Sequence, residues 1–310
     1  MPLLSNFFIR RYLGIYFMNY IFLFFMRFII FFFCLILLEP ATNNHSLAFA
    51  EQEFSYFDSL EEKLIKNGFD RSWIKKIYSD SKVKIDIKGL SSFFTHREAK
   101  LDYGQFTSKR PVKRAKKYLK KHKKALLSAE KKYGVDKKII TSILLVETQL
   151  GKYTGYRSTL NILSTMAALS DLNVRDRLWK EISGSVKLKK EDFNKWSDRK
   201  SKWAHNELEN FLNYVKREGF SPHKIKGSYA GAVGICQFMP SNIMHLAIDG
   251  DNDNIIDLFR HADAIASVAN YLKHHGWYSG IDRKKASKVL YKYNHSNFYV
   301  NAILKVADRL

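Results

Sequence analysis

The chain has 310 residues, of which 46% are hydrophobic and 26% charged, which is typical of a globular protein with one sizeable domain or two small ones. Its formal net charge of +22 favours attraction to an anionic polymer or a membrane surface. The cysteines are Cys34, in an apolar N-terminal run, and Cys236. This excludes an intramolecular disulfide in the rest of the chain, where Cys236 is expected to be a small core residue.

The N-terminal residues 1–50 predict an export segment. Residues 12–38 are overwhelmingly apolar. From Met26 the order is an arginine, an apolar run and a polar stretch ending in Ala-Phe-Ala at Ala50, which is typical of a secretory signal cleaved after Ala50. We prefer this interpretation to a retained signal anchor, although residues 12–38 could span a bilayer. Both place residues 51–310 outside the cytoplasm, in the periplasm or cell envelope, and an anchor would add membrane association.

Helical patterns dominate the remaining chain. We predict short helices between residues 51 and 81, then helices at residues 112–133, 137–150, 159–169, 203–218, 263–275, 286–293 and 299–309. The other predicted features are an extended segment at 83–87, an irregular stretch at 176–180, a Lys-rich surface excursion at 184–199 and a glycine-rich loop at 227–234. No repeat, strong linker or β-sheet core is visible in the sequence, so the predicted class is mostly α.

One predicted helix carries a strongly basic face between Lys113 and Lys124, opposite an apolar side that includes Val112 and Leu119. This pattern is typical of a solvated helix face, and attraction to an anionic polymer or membrane is the functional alternative. A specific nucleic-acid partner is disfavoured, because the leader exports the chain and no aromatic-interleaved binding motif accompanies the lysines.

The run from Val135 to Gly151 predicts one buried helix, with Asp136 as its N-cap and Gly151 at its end. Glu147 follows three apolar residues at helical spacing on the same face. Because a charge is costly beside an apolar stripe, we expect a raised pKa that suits a general acid. A rim position or one half of an ion pair is the alternative interpretation of Glu147.

Two later segments combine small, neutral polar and aromatic residues. The first is GSYAGAVGICQFMPSN at residues 227–242, where small residues would let a ligand approach the backbone and Ser228, Gln237 and Ser241 supply neutral hydrogen-bonding groups. The second is YKYNHSNFYVN at residues 291–301, which together with Tyr271 and Trp277 could form a stacking cleft for sugar rings. Core aromatic residues and helix-capping amides are the alternative.

Five segments appear in the family order of the B-type lytic murein transglycosylases, which they resemble. They are VETQLG, GSYAGAVGICQFMPSN, DGDNDNIIDLF, SVANYLKHHGW and YNHSNFYV, and the resemblance covers roughly residues 116–310. It implies a lysozyme-like α-helical catalytic domain with a glycan-binding cleft and irregular insertions. It also implies that Glu147 is the catalytic acid and base, and that the substrate contacts are Ser228, Gln237, Tyr271, Tyr293, Asn294 and Tyr299. A further contacting tyrosine upstream could be Tyr103, whose surroundings match the family poorly.

The resemblance implies cleavage between N-acetylmuramic acid and N-acetylglucosamine with formation of 1,6-anhydromuramyl ends. Ordinary glycosidases use two carboxylates, and the motif segments offer no second free one. Glu147 would protonate the linking oxygen and then accept the proton of the muramyl C6 hydroxyl as it attacks C1. Ser228 would steady the N-acetyl group, and Gln237 would steady the developing charge or the sugar ring. The alternatives are a peptidoglycan-binding protein that does not cut, and a lysozyme-type muramidase.

This chemistry requires no cofactor, and the expected partners are peptidoglycan glycan strands and other cell-wall enzymes. An acidic loop offers a structural calcium site instead. Asp249, Asp251 and Asp253 alternate like the first ligands of an EF-hand, and Ile255 offers a carbonyl. Two positions depart from that pattern, because Asn254 replaces the glycine and Arg260 the bidentate glutamate. The resemblance implies a longer loop closed by Asp263, with Asp257 as the fallback, and a plain acidic turn remains the alternative.

Overall fold

The computed structural model of the protein describes residues 55–95 and 102–310. The predicted export segment and Cys34 lie outside these ranges. Ser55–Leu310 form one compact unit. Among the helices of the described ranges, none combines the length and the hydropathy that a membrane crossing requires.

The described part of the chain is mostly α-helical, which confirms the predicted class. The helices are α1 (Asp58–Lys66), α2 (Arg71–Tyr78), α3 (Ile87–Thr95), α4 (Lys109–Lys121), α5 (Lys123–Tyr133), α6 (Lys137–Thr148), α7 (Thr159–Ala168), α8 (Leu172–Ile182), α9 (Lys190–Arg217), α10 (Pro240–Leu246), α11 (His261–His274), α12 (Arg283–Tyr293) and α13 (Asn297–Ala307), with a 3₁₀ helix at Tyr103–Thr107. Two short antiparallel strands, β1 (Arg157–Ser158) and β2 (Lys226–Gly227), pair Arg157 with Gly227.

No strand forms at residues 83–86 of the predicted extended segment, and its last residue, Ile87, is the first residue of α3. The reason is a side-chain cap. Asp86 Oδ1 accepts the backbone N–H of Gly89 at 2.8 Å and Nη1 of Arg157 at 2.7 Å. An aspartate that satisfies a free N–H group of a first turn starts a helix. Valine and isoleucine at alternate positions therefore did not indicate a strand.

Three further helix boundaries differ from the sequence prediction. The helix predicted at residues 112–133 is interrupted at His122, whose ring packs between those of Tyr118 and His261 at centroid distances of 4.3 and 4.4 Å. Residues 176–180 lie inside the regular helix α8. The surface excursion predicted at 184–199 is wrong from Lys190 onward, because Phe193 is fully buried and anchors the first turns of α9 in the core.

Helix α6 lies at the centre of the fold. It packs against α4, α5, α11 and α13, and every residue from Ile139 to Val146 is buried. The helix is thus buried all round, although the sequence predicted a single apolar stripe. It ends at Thr148, because Gln149 and Leu150 adopt left-handed backbone conformations with φ of 52° and 67°.

The N-cap predicted for α6 is present. Asp136 accepts the backbone N–H of Lys138 at 2.7 Å. We expect Asp136→Ala to lower the free energy of unfolding by about 1 kcal/mol because that N–H loses its partner, whereas Asp136→Asn keeps an acceptor and costs less. Urea denaturation followed by circular dichroism measures both. Equal losses in the two variants would show that the cap contributes nothing.

Candidate active site

A cleft of about 430 Å³ opens between the 3₁₀ helix, the end of α6, the segment after β2 and the α12–α13 connection. It brings together six of the seven residues predicted for catalysis and substrate binding. They are Glu147, Ser228, Gln237, Tyr293, Asn294 and Tyr299. The remaining one, Tyr271, is not part of the cleft wall.

Glu147 lies in the last turn of α6 and is half-buried. Tyr299, on α13, is 1% exposed and its hydroxyl donates a hydrogen bond of 2.8 Å to Glu147 Oε1. Burial, reinforced by the nearby charge of Glu147, holds the pKa of Tyr299 well above its usual value. The phenol is therefore neutral near physiological pH and remains a donor to the carboxylate.

Two more tyrosine rings surround this pair. Tyr293 lies nearly parallel to Tyr299, with ring centroids 6.3 Å apart and an interplanar angle of 9°, and its hydroxyl donates to the carbonyl of Cys236 at 2.7 Å. Tyr103, from the 3₁₀ helix, stands perpendicular to Tyr299 at 6.1 Å. The structure thus places the upstream tyrosine, whose sequence match was poor, in the same cleft. Cys236 itself is fully buried.

Tyr271 lies behind the cleft wall. Its side chain is buried, its hydroxyl donates to the carbonyl of Lys292 at 2.8 Å, and its ring packs against Tyr293 at 4.9 Å. Burial raises its pKa to about 12. The position of Tyr271 suits support of Tyr293 from behind, and the structure does not bring it to the cleft surface as the resemblance implied.

Two glycines of residues 227–234 pack against the protein's own backbone. A Cβ atom on Gly227 would lie 2.2 Å from the carbonyl oxygen of Ala232, and one on Gly234 would lie 2.6 Å from that of Leu258. These contacts, and not the approach of a ligand, explain why the segment contains glycine at both positions. Ala230 and Ala232 do line the cleft.

Two polar side chains of this segment have defined hydrogen-bonding capacity left for a ligand. Ser228 Oγ accepts the N–H groups of Ala230 at 3.2 Å and Ala232 at 3.0 Å, so the hydroxyl hydrogen is the group it can offer. Gln237 Nε2 donates to the carbonyls of Thr154 at 3.1 Å and Gly234 at 2.8 Å. The amide hydrogens of Gln237 are thereby engaged, and its Oε1 is the acceptor that it presents.

Ser241, which the sequence grouped with them, serves the fold instead. Its hydroxyl donates to Glu207 Oε1 at 2.8 Å and its N–H to Oε2 at 2.9 Å, which ties the start of α10 to α9. Glu207 is itself buried, so this pair is satisfied inside the protein.

The sequence missed the other residues of the cleft wall, which are Asp102, Gln105, Phe106, Val146 and Tyr229. Most come from the segment just before α4, whose sequence carries no periodic signal. Within the described ranges, Asp102 and Glu147 are the two carboxylates of the wall, and Asp102 is exposed. Asp102 lies outside the motif segments, so those segments did not indicate this second acid.

The acidic loop lies between α10 and α11. Carboxylate oxygens of Asp249, Asp251 and Asp263 come within 4.8 Å of one another, and Asn254 has the left-handed backbone (φ 68°) that its glycine-like position requires. The side chain of Asp263 is fully buried. Burial raises its pKa to about 6, although hydrogen bonds from the N–H groups of Gly250 and Asp257 act to lower it.

The two remaining predicted ligands have other contacts. Asp253 is paired with Arg260, and the backbone N–H of Ile255 donates to Asp253 Oδ1 at 2.9 Å. The fallback ligand Asp257 accepts the N–H of Phe259 at 2.9 Å. The structure thus groups Asp263, and not Asp253, with the first two aspartates.

The cleft of this helical domain thus combines a half-buried carboxylate, held by a neutral phenol, with aromatic and neutral polar walls, which is the kind of lining that suits a polar ligand with apolar faces. The chain belongs to the transglycosylase SLT domain family, which matches residues 52–286.

Known relatives agree with this assignment. Over 233 residues, the chain is 30% identical to the membrane-bound lytic murein transglycosylase B of Escherichia coli (strain K12), which corresponds to 71% of this chain and 57% of that protein. The chain therefore spans little more than half the length of this relative.

Two solved structures share the fold. One is the Escherichia coli lytic transglycosylase Slt35 in complex with calcium (TM-score 0.65, 23% identity, 83% of this chain and 93% of that chain). The other is SltB3 from Pseudomonas aeruginosa in complex with NAG-NAM-pentapeptide (TM-score 0.63, 19% identity, 82% and 78%). The lysozyme-like helical fold expected from the resemblance is confirmed.

Proposed function

We propose that this protein is a lytic transglycosylase that cuts the β-1,4 bond between N-acetylmuramic acid and N-acetylglucosamine in peptidoglycan and leaves 1,6-anhydromuramyl ends. The observation that carries the proposal is the hydrogen bond from Tyr299 to Glu147 Oε1, 2.8 Å long, inside a cleft with aromatic and neutral polar walls. One carboxylate is thereby held in place to give up a proton and take one back. Membership of the family supports the same chemistry.

The reaction needs one acid that becomes the base. Protonated Glu147 delivers its proton to the glycosidic oxygen as the bond from that oxygen to muramyl C1 breaks, and positive charge develops at C1. The resulting carboxylate accepts the proton of the muramyl C6 hydroxyl while O6 bonds to C1. Glu147 is then protonated again, and no water is consumed. Because nucleophile and electrophile belong to the same sugar, proximity favours this attack.

The other cleft residues suit supporting roles. Gln237 Oε1 can face the positive charge at C1 as an acceptor, and the Ser228 hydroxyl can donate to the N-acetyl carbonyl. The rings of Tyr293 and Tyr103 offer apolar faces against which sugar rings stack. Asn294 adds an amide to the wall, while Tyr271 would act through Tyr293.

A muramidase is the second candidate, because Asp102 supplies a second carboxylate to the cleft wall. In that mechanism Asp102 would serve as the nucleophile or as the base for water. The exposure of Asp102 favours bulk solvation of its carboxylate over a fixed catalytic geometry. We therefore assign it no step in the reaction.

Product analysis tests the proposal. We expect mass spectrometry of fragments released from purified peptidoglycan to show anhydromuramyl ends, and Asp102→Asn to give the same products at a rate within about threefold of wild type, because an exposed carboxylate outside the chemistry contributes little. Fragments heavier by one water, or loss of cleavage in Asp102→Asn, would favour the muramidase. Binding to peptidoglycan without released fragments would favour a non-cutting protein.

We also propose that the acidic loop holds calcium, with Asp249, Asp251 and Asp263 as carboxylate ligands. The donor set supports this, because three carboxylates within 4.8 Å supply the hard oxygen atoms that calcium prefers. Asp253 is engaged by Arg260, and the Ile255 carbonyl remains the predicted backbone ligand. Calcium here would take no part in the reaction, since the proposed proton transfers take place at Glu147 and require no metal.

The proposed place of action is the periplasm or cell envelope, where the polymer is accessible. The sequence pattern of residues 1–50 supports export, and the net charge of +22 supports attraction to an anionic wall. Peptidoglycan glycan strands are the proposed partner, and other cell-wall enzymes are secondary partners expected from the proposed activity.

A further inference from the structure

Arg260 is a cation that the chain itself places in the acidic loop. Its guanidinium contacts Asp251 Oδ2 at 2.9 Å and also pairs with Asp253. Its backbone is fixed as well, because its N–H donates to the carbonyl of Asp257 at 2.8 Å and it is the last residue before α11. The guanidinium thus bridges two of the four carboxylates considered for the metal, which are those of Asp249, Asp251, Asp253 and Asp263.

The other two carboxylates are satisfied by backbone groups. Asp249 accepts the N–H groups of Asn252, Asp253 and Asn254 at 2.7, 3.3 and 2.8 Å. Asp263 accepts those of Gly250 and Asp257, each at 2.8 Å. All four carboxylates therefore have donors from the protein, which is the requirement for an ordered loop without an external cation.

We propose that Arg260 is the resident counter-ion of this loop, which keeps the loop folded without a divalent cation and must withdraw from Asp251 before calcium binds. The inference goes beyond the glycan-cleaving reaction and concerns only how this chain handles the calcium assigned to the loop. It makes the wild-type loop independent of calcium for its structure and a weak calcium site.

The physical reason is competition for the same oxygen atoms. Asp251 is a member of the carboxylate group that fits calcium and also the direct partner of Arg260. A guanidinium keeps its charge at every pH at which the protein is folded, so it cannot give way by losing a proton. A bound divalent ion would lie within a few ångströms of this positive charge, and the repulsion lowers calcium affinity by about tenfold or more, even in a well-hydrated loop.

Replacing Arg260 separates its role in stabilising the loop from its effect on calcium binding. We expect the full chain with Arg260→Gln to bind calcium at least about tenfold more tightly than wild type in calorimetric titration with calcium chloride. In thermal unfolding, excess calcium should raise the wild-type midpoint above its value in chelator by less than it raises the midpoint of Arg260→Gln. The Arg260→Gln midpoint should fall below wild type in chelator and recover when calcium is added, because the metal then replaces the missing cation.

Arg283→Gln is the matched control, since Arg283 forms a two-pronged surface pair with Asp308 at 3.1 Å, away from the loop. This variant should bind calcium like wild type, and calcium should shift its unfolding midpoint by the same amount as in wild type. Equal calcium affinity in Arg260→Gln and wild type, including no binding by either, would overturn the inference. Anhydromuramyl products would still be released in that case, so the proposed reaction is judged separately.

Discussion

Replacing Glu147 with glutamine is expected to reduce glycan cleavage by about 10³-fold or more, because the amide has nearly the same shape but can neither deliver nor accept the proton. The hydroxyl of Tyr299 can still donate to the amide oxygen, so the cleft should keep its geometry. Release of soluble fragments from purified peptidoglycan measures the loss. Sedimentation with the insoluble polymer measures binding, which should persist.

Glu130→Gln provides the control for this variant. Glu130 lies on the neighbouring helix α5, is half-buried and pairs with Lys137 at 2.8 Å, outside the cleft. Its loss should alter stability by no more than about 1 kcal/mol and leave cleavage unchanged. If Glu147→Gln still cut peptidoglycan within about tenfold of wild type, the carboxylate would not be the proton donor and the proposed mechanism would fail.

Tyr299→Phe should slow cleavage by about tenfold to a hundredfold while the protein stays folded. The variant removes the hydroxyl that donates to Glu147, and a hydrogen bond to a charged group contributes about 1.5–3 kcal/mol. The ring remains in place to pack against Tyr293 and Tyr103. The loss should appear in kcat, because the hydroxyl positions the catalytic carboxylate and does not serve as a binding surface.

Tyr214→Phe separates this effect from a general loss of stability. Tyr214 is also fully buried, and its hydroxyl donates to the carbonyl of Ile256 at 2.9 Å, away from the cleft wall. We expect this variant to lose about 1 kcal/mol of stability and to cut at the wild-type rate. Similar losses of kcat in both variants would mean that the hydroxyl of Tyr299 has no special role beside Glu147.

The sequence predicted the mostly α class and most helices after residue 136, because their apolar periodicity and their caps agree. Asp136 shows this for α6, whose N-cap lies where the pattern placed it, whereas the left-handed residues after Thr148 end the helix two residues before the predicted end. The failures have local causes. The side chain of Asp86 began a helix where a strand was expected, and the burial of Phe193 brought a Lys-rich stretch into α9.

The motifs in the sequence indicated seven residues for catalysis and substrate binding, and six of these seven line one cleft. Tyr271 does not line the cleft, because its position in a motif does not indicate whether its ring contacts a ligand or packs behind another ring. Asp102 was missed because tertiary packing alone brings it to the wall, and Tyr229 was missed although it lies beside Ser228 in a quoted motif. The sequence also suggested that the glycines of residues 227–234 admit a ligand, whereas Gly227 and Gly234 lie against the backbone of Ala232 and Leu258.

The bond between Glu147 and Tyr299 joins positions 152 residues apart. Such a long-range contact forms only after the intervening chain has folded and the last helix has docked on α6. A partly synthesised or partly folded chain therefore lacks the complete acid centre. Under the proposed function, glycan cleavage would therefore begin only after α13 has docked on α6.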